Sequence, residues 1–299
     1  MTLKFVTGIA SLVLLAAGAP AQAADGDTTF DKIKSTGEIS LGYRETAIPF
    51  AYLDENHEPT GFSVDLCHEI VDILKEEKDL PDLKVTYQPV TASNRIPLLV
   101  NGSIDIECGS TTNTAERRKA VDFLYTTYLT GTKILTRVDS NFKDLQDLKG
   151  KKIQMTMGTN NIKAVQKASE EMDLDLEIVY GQDHAENFLQ LKNGRVDGIS
   201  TDDILLAGLA AESDAPEDYT FVGPFLSTEP YSMMVRKDDP EFKEFANKAL
   251  KSLFDSGKFN DIYDKWLVQP IPPKGISFNI PMTDEMKALV KNPSDTTDE

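Results

Sequence analysis

Cysteine, histidine and basic residues are all scarce in this chain, and each scarcity closes a route. Two cysteines, Cys67 and Cys108, are too few for a disulfide scaffold. Three histidines, His57, His68 and His184, stand far apart and give no metal-ligand spacing, so neither a metal nor another cofactor is expected. Lys and Arg number 31 against 49 Asp and Glu, a net charge of -18. That balance argues against nucleic acid and against an anionic membrane surface as partners. No second long hydrophobic run follows the N-terminal one, which leaves a membrane-anchored sensor without support.

The N-terminus is the exception. Lys4 is its only early charge, an apolar run extends from Ile9 to Ala17, and Ala21-Gln22-Ala23 supplies a small-residue cleavage site. Residues 1–24 are therefore expected to be a secretion signal cut near Ala23 or Ala24, because the run is shorter than the ~20 apolar residues of a membrane span. The remainder is expected to be an exported, soluble, monomeric protein. An oxidising compartment permits a bond between Cys67, on the apolar face of a helix, and Cys108, in a strand that could lie beneath it. Two buried free thiols are the alternative.

Strand-like runs alternate with amphipathic helices, the pattern of an α/β fold with largely parallel sheets. ISLGY (39–43) is the first strand. A helix from about Ser63 to Leu74 follows, with Phe62, Leu66, Ile70, Ile73 and Leu74 on one face and Ser63 as its N-cap. VTYQPV (85–90), a short helix from about Asn94 to Val100, and IDIEC complete a first series, and GTKILTR (131–137) opens a second. The two series match. Leu98-Leu99-Val100-Asn101-Gly102-Ser103-Ile104-Asp105 aligns with Gln190-Leu191-Lys192-Asn193-Gly194-Arg195-Val196-Asp197, and Asn-Gly-x-x-Asp stands in both. Physically, Asn-Gly ends a helix in the left-handed conformation before the chain re-enters the sheet. Agreement across strand, turn, helix and strand predicts two related lobes.

Open α/β sheets bind ligands where strands end and helices begin. By that rule Arg44, Arg95, Ser110, Thr112 and Arg117 come from the first series, and Gly158-Thr159-Asn160, His184 and Asp202 from the second. Residues 107–118, ECGSTTNTAERR, read as a carboxylate receptor: a strand end rich in hydroxyls, then Arg117 at the mouth of a new helix with a two-donor fork that matches a carboxylate. Three arginines and one aspartate suit a zwitterion carrying an extra negative charge. Each residue also has a plainer reading. Arg44 could pair with a surface acid, Arg117 with Glu116, and Asp202 or Asp203 could cap the helix that starts near Ile204.

Nearly the whole mature chain resembles the periplasmic glutamate/aspartate-binding proteins of ABC transporters, within the polar amino-acid-binding family. The resemblance rests on GYRETAIPFAYLDE, NRIPLLVNGSIDIECGSTTNTAER, QDHAENF, TDDILLAG and DKWLVQPIPPKG in this order and spacing. It implies the periplasmic-binding-protein fold: residues 30–130 with 227–299 form lobe one, 131–226 form lobe two, and two hinge strands join them. The helices around Phe242 to Phe254 and Phe259 to Leu267 would pack on lobe one, with Trp266 in a satellite core. It also implies roles. Arg117 with Thr112 would hold an α-carboxylate, Asp202 with Ser110 an α-ammonium, and Arg44, Arg95 and His184 a side-chain carboxylate. Two positions depart from the pattern: Ala92 stands where relatives carry a serine, and Asn160 where they carry a threonine near the α-carboxylate. The expected function is capture of L-glutamate or L-aspartate for the membrane permease subunits of an importer. The alternatives are a receptor for another small acidic solute and a dehydratase-like enzyme, for which His184 and Glu107 would be the acid–base candidates.

Overall fold

The computed structural model describes residues 28–296, and the expected signal segment lies outside them. The alternating pattern resolves into two five-stranded sheets of the same design. In lobe one the order is Lys84–Pro89, Glu38–Tyr43, Ile106–Glu107, Met234–Arg236, Val121–Phe123. In lobe two it is Glu177–Gly181, Lys152–Thr156, Gly198–Asp202, Thr132–Arg137, Tyr219–Val222. The first three strands of each sheet run parallel and the last two join antiparallel, so both sheets are mixed.

The repeated Asn-Gly-x-x-Asp has a common physical cause. Gly102 (φ 76°) and Gly194 (φ 66°) take the left-handed conformation that L side chains avoid. The aspartate that follows then ties the sheet together. Asp105 accepts a hydrogen bond from the Ser40 backbone N–H at 2.9 Å, and Asp197 accepts one from Lys152 N–H at 2.9 Å, the matching strand of the other sheet.

The first long helix runs Phe62–Glu77, longer than the apolar face alone predicts, because nothing after Leu74 breaks it. Its cap differs from expectation. Gly61 (φ 130°) occupies the cap, where a Cβ would stand 2.4 Å from the Phe50 carbonyl oxygen, so the chain needs glycine there. Ser63 lies inside the helix and donates its hydroxyl to the Gly109 carbonyl at 2.8 Å, fastening the helix to the loop after Ile106–Glu107. A second fastening is covalent. Cys67 and Cys108 are bonded, their Cα atoms 6.2 Å apart, which sets aside the free-thiol alternative.

The lobes are joined by two crossovers that pair with each other, Tyr128–Thr130 antiparallel to Glu229–Tyr231. Helices Pro240–Ser256 and Lys258–Tyr263, the latter running into a wider turn over Asp264–Val268, fold back on lobe one. Trp266 is buried in the main lobe-one cluster, not in a satellite. Its ring meets Tyr52 edge-on at 6.0 Å and its indole N–H donates to Asp65 at 2.7 Å. Among the described residues no helix is long and apolar enough to cross a membrane.

The disulfide closes a loop with a sequence separation of 41, for which chain entropy gives a stabilisation of about 4 kcal/mol. Denatured, unreduced protein should therefore show no titratable thiol, and reduction should lower the unfolding free energy measured in urea by that amount, with a lower midpoint. Two thiols before reduction would contradict the bond.

Candidate functional site

Strand ends and helix starts from both sheets meet between the lobes. Arg44 follows Glu38–Tyr43, Arg95 begins helix Arg95–Val100, and Ser110 and Thr112 follow Ile106–Glu107. From lobe two, Asn160 precedes helix Asn161–Glu171, His184 begins His184–Lys192, and Asp202 ends Gly198–Asp202. These seven line one cavity with Thr159, Asn161, Thr201 and Leu205. The cavity is narrow, about 10 Å³, and only Leu205 in its wall is apolar. Arg117 opens a single tight turn, Arg117–Lys119, where a full helix is expected from the sequence. It faces the wider groove that continues outward from Thr112, Thr159 and Asn160.

Two of the three arginines are held out of water, and Arg117 is half-buried. Arg44 is 1% exposed and Arg95 2%. Nε and Nη2 of Arg44, Nε and Nη1 of Arg95, and the hydroxyls of Ser110 and Thr201 have no hydrogen-bond partner. Buried polar groups left open in this way are costly, and here they converge on one small space. Burial pushes the Arg95 guanidinium down to about 9, with Arg117 and Arg44 adding like-charge repulsion. Burial also lowers Arg44 and Arg117. Arg44 does meet an acid: Asp183 Oδ2 lies 3.7 Å from Nη2, an ion-pair distance beyond hydrogen-bond reach. Arg117 is not paired with Glu116, which binds Lys163 across the cleft. Its two Nη atoms donate to the carbonyls of Thr112 at 2.8 Å and Gly158 at 3.1 Å, one on each lobe. Glu107, weighed as an acid–base candidate, is fully buried behind Gly109, accepts from the Thr111 hydroxyl at 2.8 Å and does not line the cavity.

Across the cavity stands one carboxyl group. Asp202 occupies the cap position of helix Asp203–Glu212, yet its side chain makes no capping bond. It accepts instead from Asn161 Nδ2 at 2.7 Å and from the Tyr231 hydroxyl. Burial, then repulsion from Glu229, raises it to about 7. His184 is held neutral, at about 3, by burial and then by Arg44. Its tautomer follows from its neighbours. Thr156 Oγ1, fully buried, accepts from Asn187 Nδ2 at 2.8 Å and has only His184 Nδ1, also at 2.8 Å, to receive its own proton. Nδ1 is then the acceptor and Nε2 carries the hydrogen as a neutral donor. Asn160 donates its amide to Glu229, whose carboxyl group also accepts from Ser227 and, at 3.3 Å, from Thr132.

Glu229, Tyr231, Asn161 and Thr156 escaped the sequence reading. Thr156 and Asn161 could have been found by the strand-end and helix-start rule. Glu229 and Tyr231 lie on a hinge strand, and nothing local in Glu229-Pro230-Tyr231 marks them.

Several bonds join the lobes directly. Thr46 donates to both carboxyl oxygens of Asp183 at 2.7 and 2.8 Å, and Ser93 donates to the Met157 carbonyl at 3.1 Å. Closest of all is Gly158 (φ 81°), where a Cβ would meet the Ala92 carbonyl oxygen at 2.6 Å and Ser93 Cα at 2.7 Å. All of that obstruction is backbone and cannot move aside. Gly158→Ala should therefore disfavour closure by about 1–3 kcal/mol, the usual cost of an overpacked contact. It should appear in scattering as a larger radius of gyration than wild type at the same sub-saturating ligand concentration, and an unchanged radius would rule out this contact as the limit of closure.

Asp202 makes stability depend on pH. Its folded pKa lies above that of an unfolded aspartate, so the stability it contributes is complete below pH ~4 and is lost as pH rises to about 7. His184, depressed when folded, acts in the opposite sense, losing stability as pH falls below ~6.5. The comparison that isolates Asp202 is thus a difference: between pH 5 and 7.5 the melting temperature of wild type should fall relative to that of Asp202→Asn. Parallel curves would mean that Asp202 is ionised throughout.

Residues 39–269 match the family model described as bacterial extracellular solute-binding proteins, family 3. The L-glutamate/L-aspartate-binding protein of Pseudomonas aeruginosa is 42% identical over 296 residues, covering 98% of both chains. The glutamate/aspartate import solute-binding protein of Escherichia coli K12 is 40% identical over 294 residues, covering 98% of this chain and 97% of its own. Among solved structures, an ancestral arginine-binding protein bound to arginine superposes with a TM-score of 0.68 at 32% identity, over 77% of this chain and 98% of that one. Two lobes of matched design, a polar cavity between them and a family match over most of the length agree: the chain belongs to the bacterial extracellular solute-binding proteins of family 3.

Proposed function

We propose that this protein is the substrate receptor of an ABC importer for L-glutamate and L-aspartate. A binding protein, not an enzyme, it is exported through a signal cut near Ala23 or Ala24 and presents its cargo to membrane permease subunits. The observation that carries this reading is the set of open N–H donors on Arg44 and Arg95, buried on one side of a cavity whose far wall holds Asp202. Such a site is complementary to a small molecule with carboxylates at one end and a cation at the other. Near-identity in length to relatives named for glutamate and aspartate supports the same ligands here.

Arg117 and Thr112 take the α-carboxylate, and Asp202 with Ser110 the α-ammonium. Arg44, Arg95 and the Nε2–H of His184 surround the side-chain carboxylate. Asn160 serves the α-carboxylate end indirectly, its amide donating to Glu229. Residues 30–130 with 227–299 move as one body and 131–226 as the other. Closure follows occupancy because a bound amino acid bridges Arg117 on one body and Asp202 on the other.

A calorimetric screen of amino acids against the mature protein tests the reading, with glutamate and aspartate expected to bind without turnover. Arg117→Ala should abolish binding of every amino acid. Arg44→Ala and Arg95→Ala should each cost glutamate about 2–5 kcal/mol, as truncating one partner of a buried charge pair does. Glutamine should lose less, since its amide leaves no unpaired charge. An acid-to-amide preference that is the same in wild type and both variants would sink the assignment of these two arginines.

A further inference from the structure

The family match ends at residue 269, but the chain continues as an ordered extension. Its first part is anchored in lobe one. Ile271 is 1% exposed and bridges Ile276 across a turn, and Met286, on helix Asp284–Lys291, is buried in the same core. The Tyr52 hydroxyl donates to the Pro272 carbonyl at 2.7 Å and fixes the base of that turn.

From this base the extension reaches three places that matter for ligand capture. At the tip of the turn, Lys274 Nζ donates to the Glu212 carbonyl. Glu212 is the last residue of the lobe-two helix that begins beside Asp202, and a cation there meets open carbonyls at the negative end of the helix dipole. At the other end of the extension, the Ser294 carbonyl accepts from Thr126 N–H at 3.0 Å, two residues before hinge strand Tyr128–Thr130. The next carbonyl, of Asp295, accepts from Asn113 Nδ2 at 2.8 Å, beside Thr112. Lys243 pairs with the Asp295 side chain at 2.8 Å and holds this strap against helix Pro240–Ser256.

We propose that residues 270–296 are an interlobe brace: Lys274 steadies the closed arrangement, while Ser294 and Asp295 hold the hinge and the Thr112–Arg117 loop in register for the ligand. The inference rests on the cleft-binding reading above. It assigns the extension to closure and to the α-carboxylate end, where all amino acids look alike, and not to the side-chain end.

Two variants of the mature protein, one shortened and one a point substitution, test it by calorimetry with glutamate and glutamine. A chain ending at Lys291 removes the strap but keeps Met286 and its helix. It should raise Kd about tenfold, equally for both ligands, as expected for loss of two hydrogen bonds that position a binding loop. Lys274→Ala, exposed and harmless to the core, should raise both by about two- to fivefold, the scale of one surface charge at a helix terminus. It should also enlarge the ligand-free radius of gyration. Kd values within twofold of wild type in both variants would overturn the brace, as would a changed glutamate-to-glutamine ratio. If the shortened chain fails to fold, Lys274→Ala decides alone. If wild type binds neither ligand, the functional reading fails, yet the scattering comparison still judges the brace: an unchanged radius in Lys274→Ala rejects it.

Discussion

Two guanidinium groups buried between two lobes, those of Arg44 and Arg95, with more N–H donors than acceptors to receive them, are the constraint around which the molecule is arranged. Withdrawing a charge from water costs several kcal/mol even after relaxation, and partial pairing recovers only part of that. The protein must therefore hold these groups in place by rigid means. Ser63 and the Cys67–Cys108 bond fasten the helix Phe62–Glu77 to the loop that carries Ser110 and Thr112. Gly109 lets that loop lie against the Arg44 stem, since a Cβ there would stand 3.2 Å from Arg44 Cγ and 2.3 Å from Glu107 Oε1. The cost held in the cavity is what an anionic ligand relieves, so affinity and local instability have one origin.

The cavity also inverts the sign of the whole. A net charge of -18 should repel an anion at long range. At physiological ionic strength that repulsion is screened beyond about 8 Å, whereas a site closed off from water is screened little. Selection of an anion by an acidic protein is thus consistent: the surface keeps the molecule soluble, and the enclosed site acts only on what has entered.

Much of this was legible in the sequence because strand ends and helix starts are local features. Arg44, Arg95, Ser110, Thr112, His184 and Asp202 were found by that rule and meet in one cavity. The duplicated Asn-Gly-x-x-Asp announced the repeat, and each aspartate ties matching strands. Ser63 misled because a hydroxyl before an apolar run looks like a cap, while the steric demand that puts Gly61 there arises from Phe50, distant in sequence. Glu229 and Tyr231 were illegible for a similar reason. Their partners Asn160, Thr132 and Asp202 come from other elements, and no spacing within the hinge strand betrays them. Whether the cysteines were joined depended on a helix and a strand meeting, which pattern alone leaves open.

The pairing of the two crossovers has a mechanical meaning. Tyr128–Thr130 and Glu229–Tyr231 are a single two-stranded ribbon, with Tyr128 opposite Tyr231 and Thr130 opposite Glu229. Two independent tethers would let one lobe tilt, slide and swivel over the other. A hydrogen-bonded ribbon bends and twists as a leaf spring does, resisting shear between its strands, so that opening is restricted to few directions. Because Glu229 and Tyr231 on that same ribbon bond to Asn160 and Asp202, flexing the spring moves the far wall of the cavity directly.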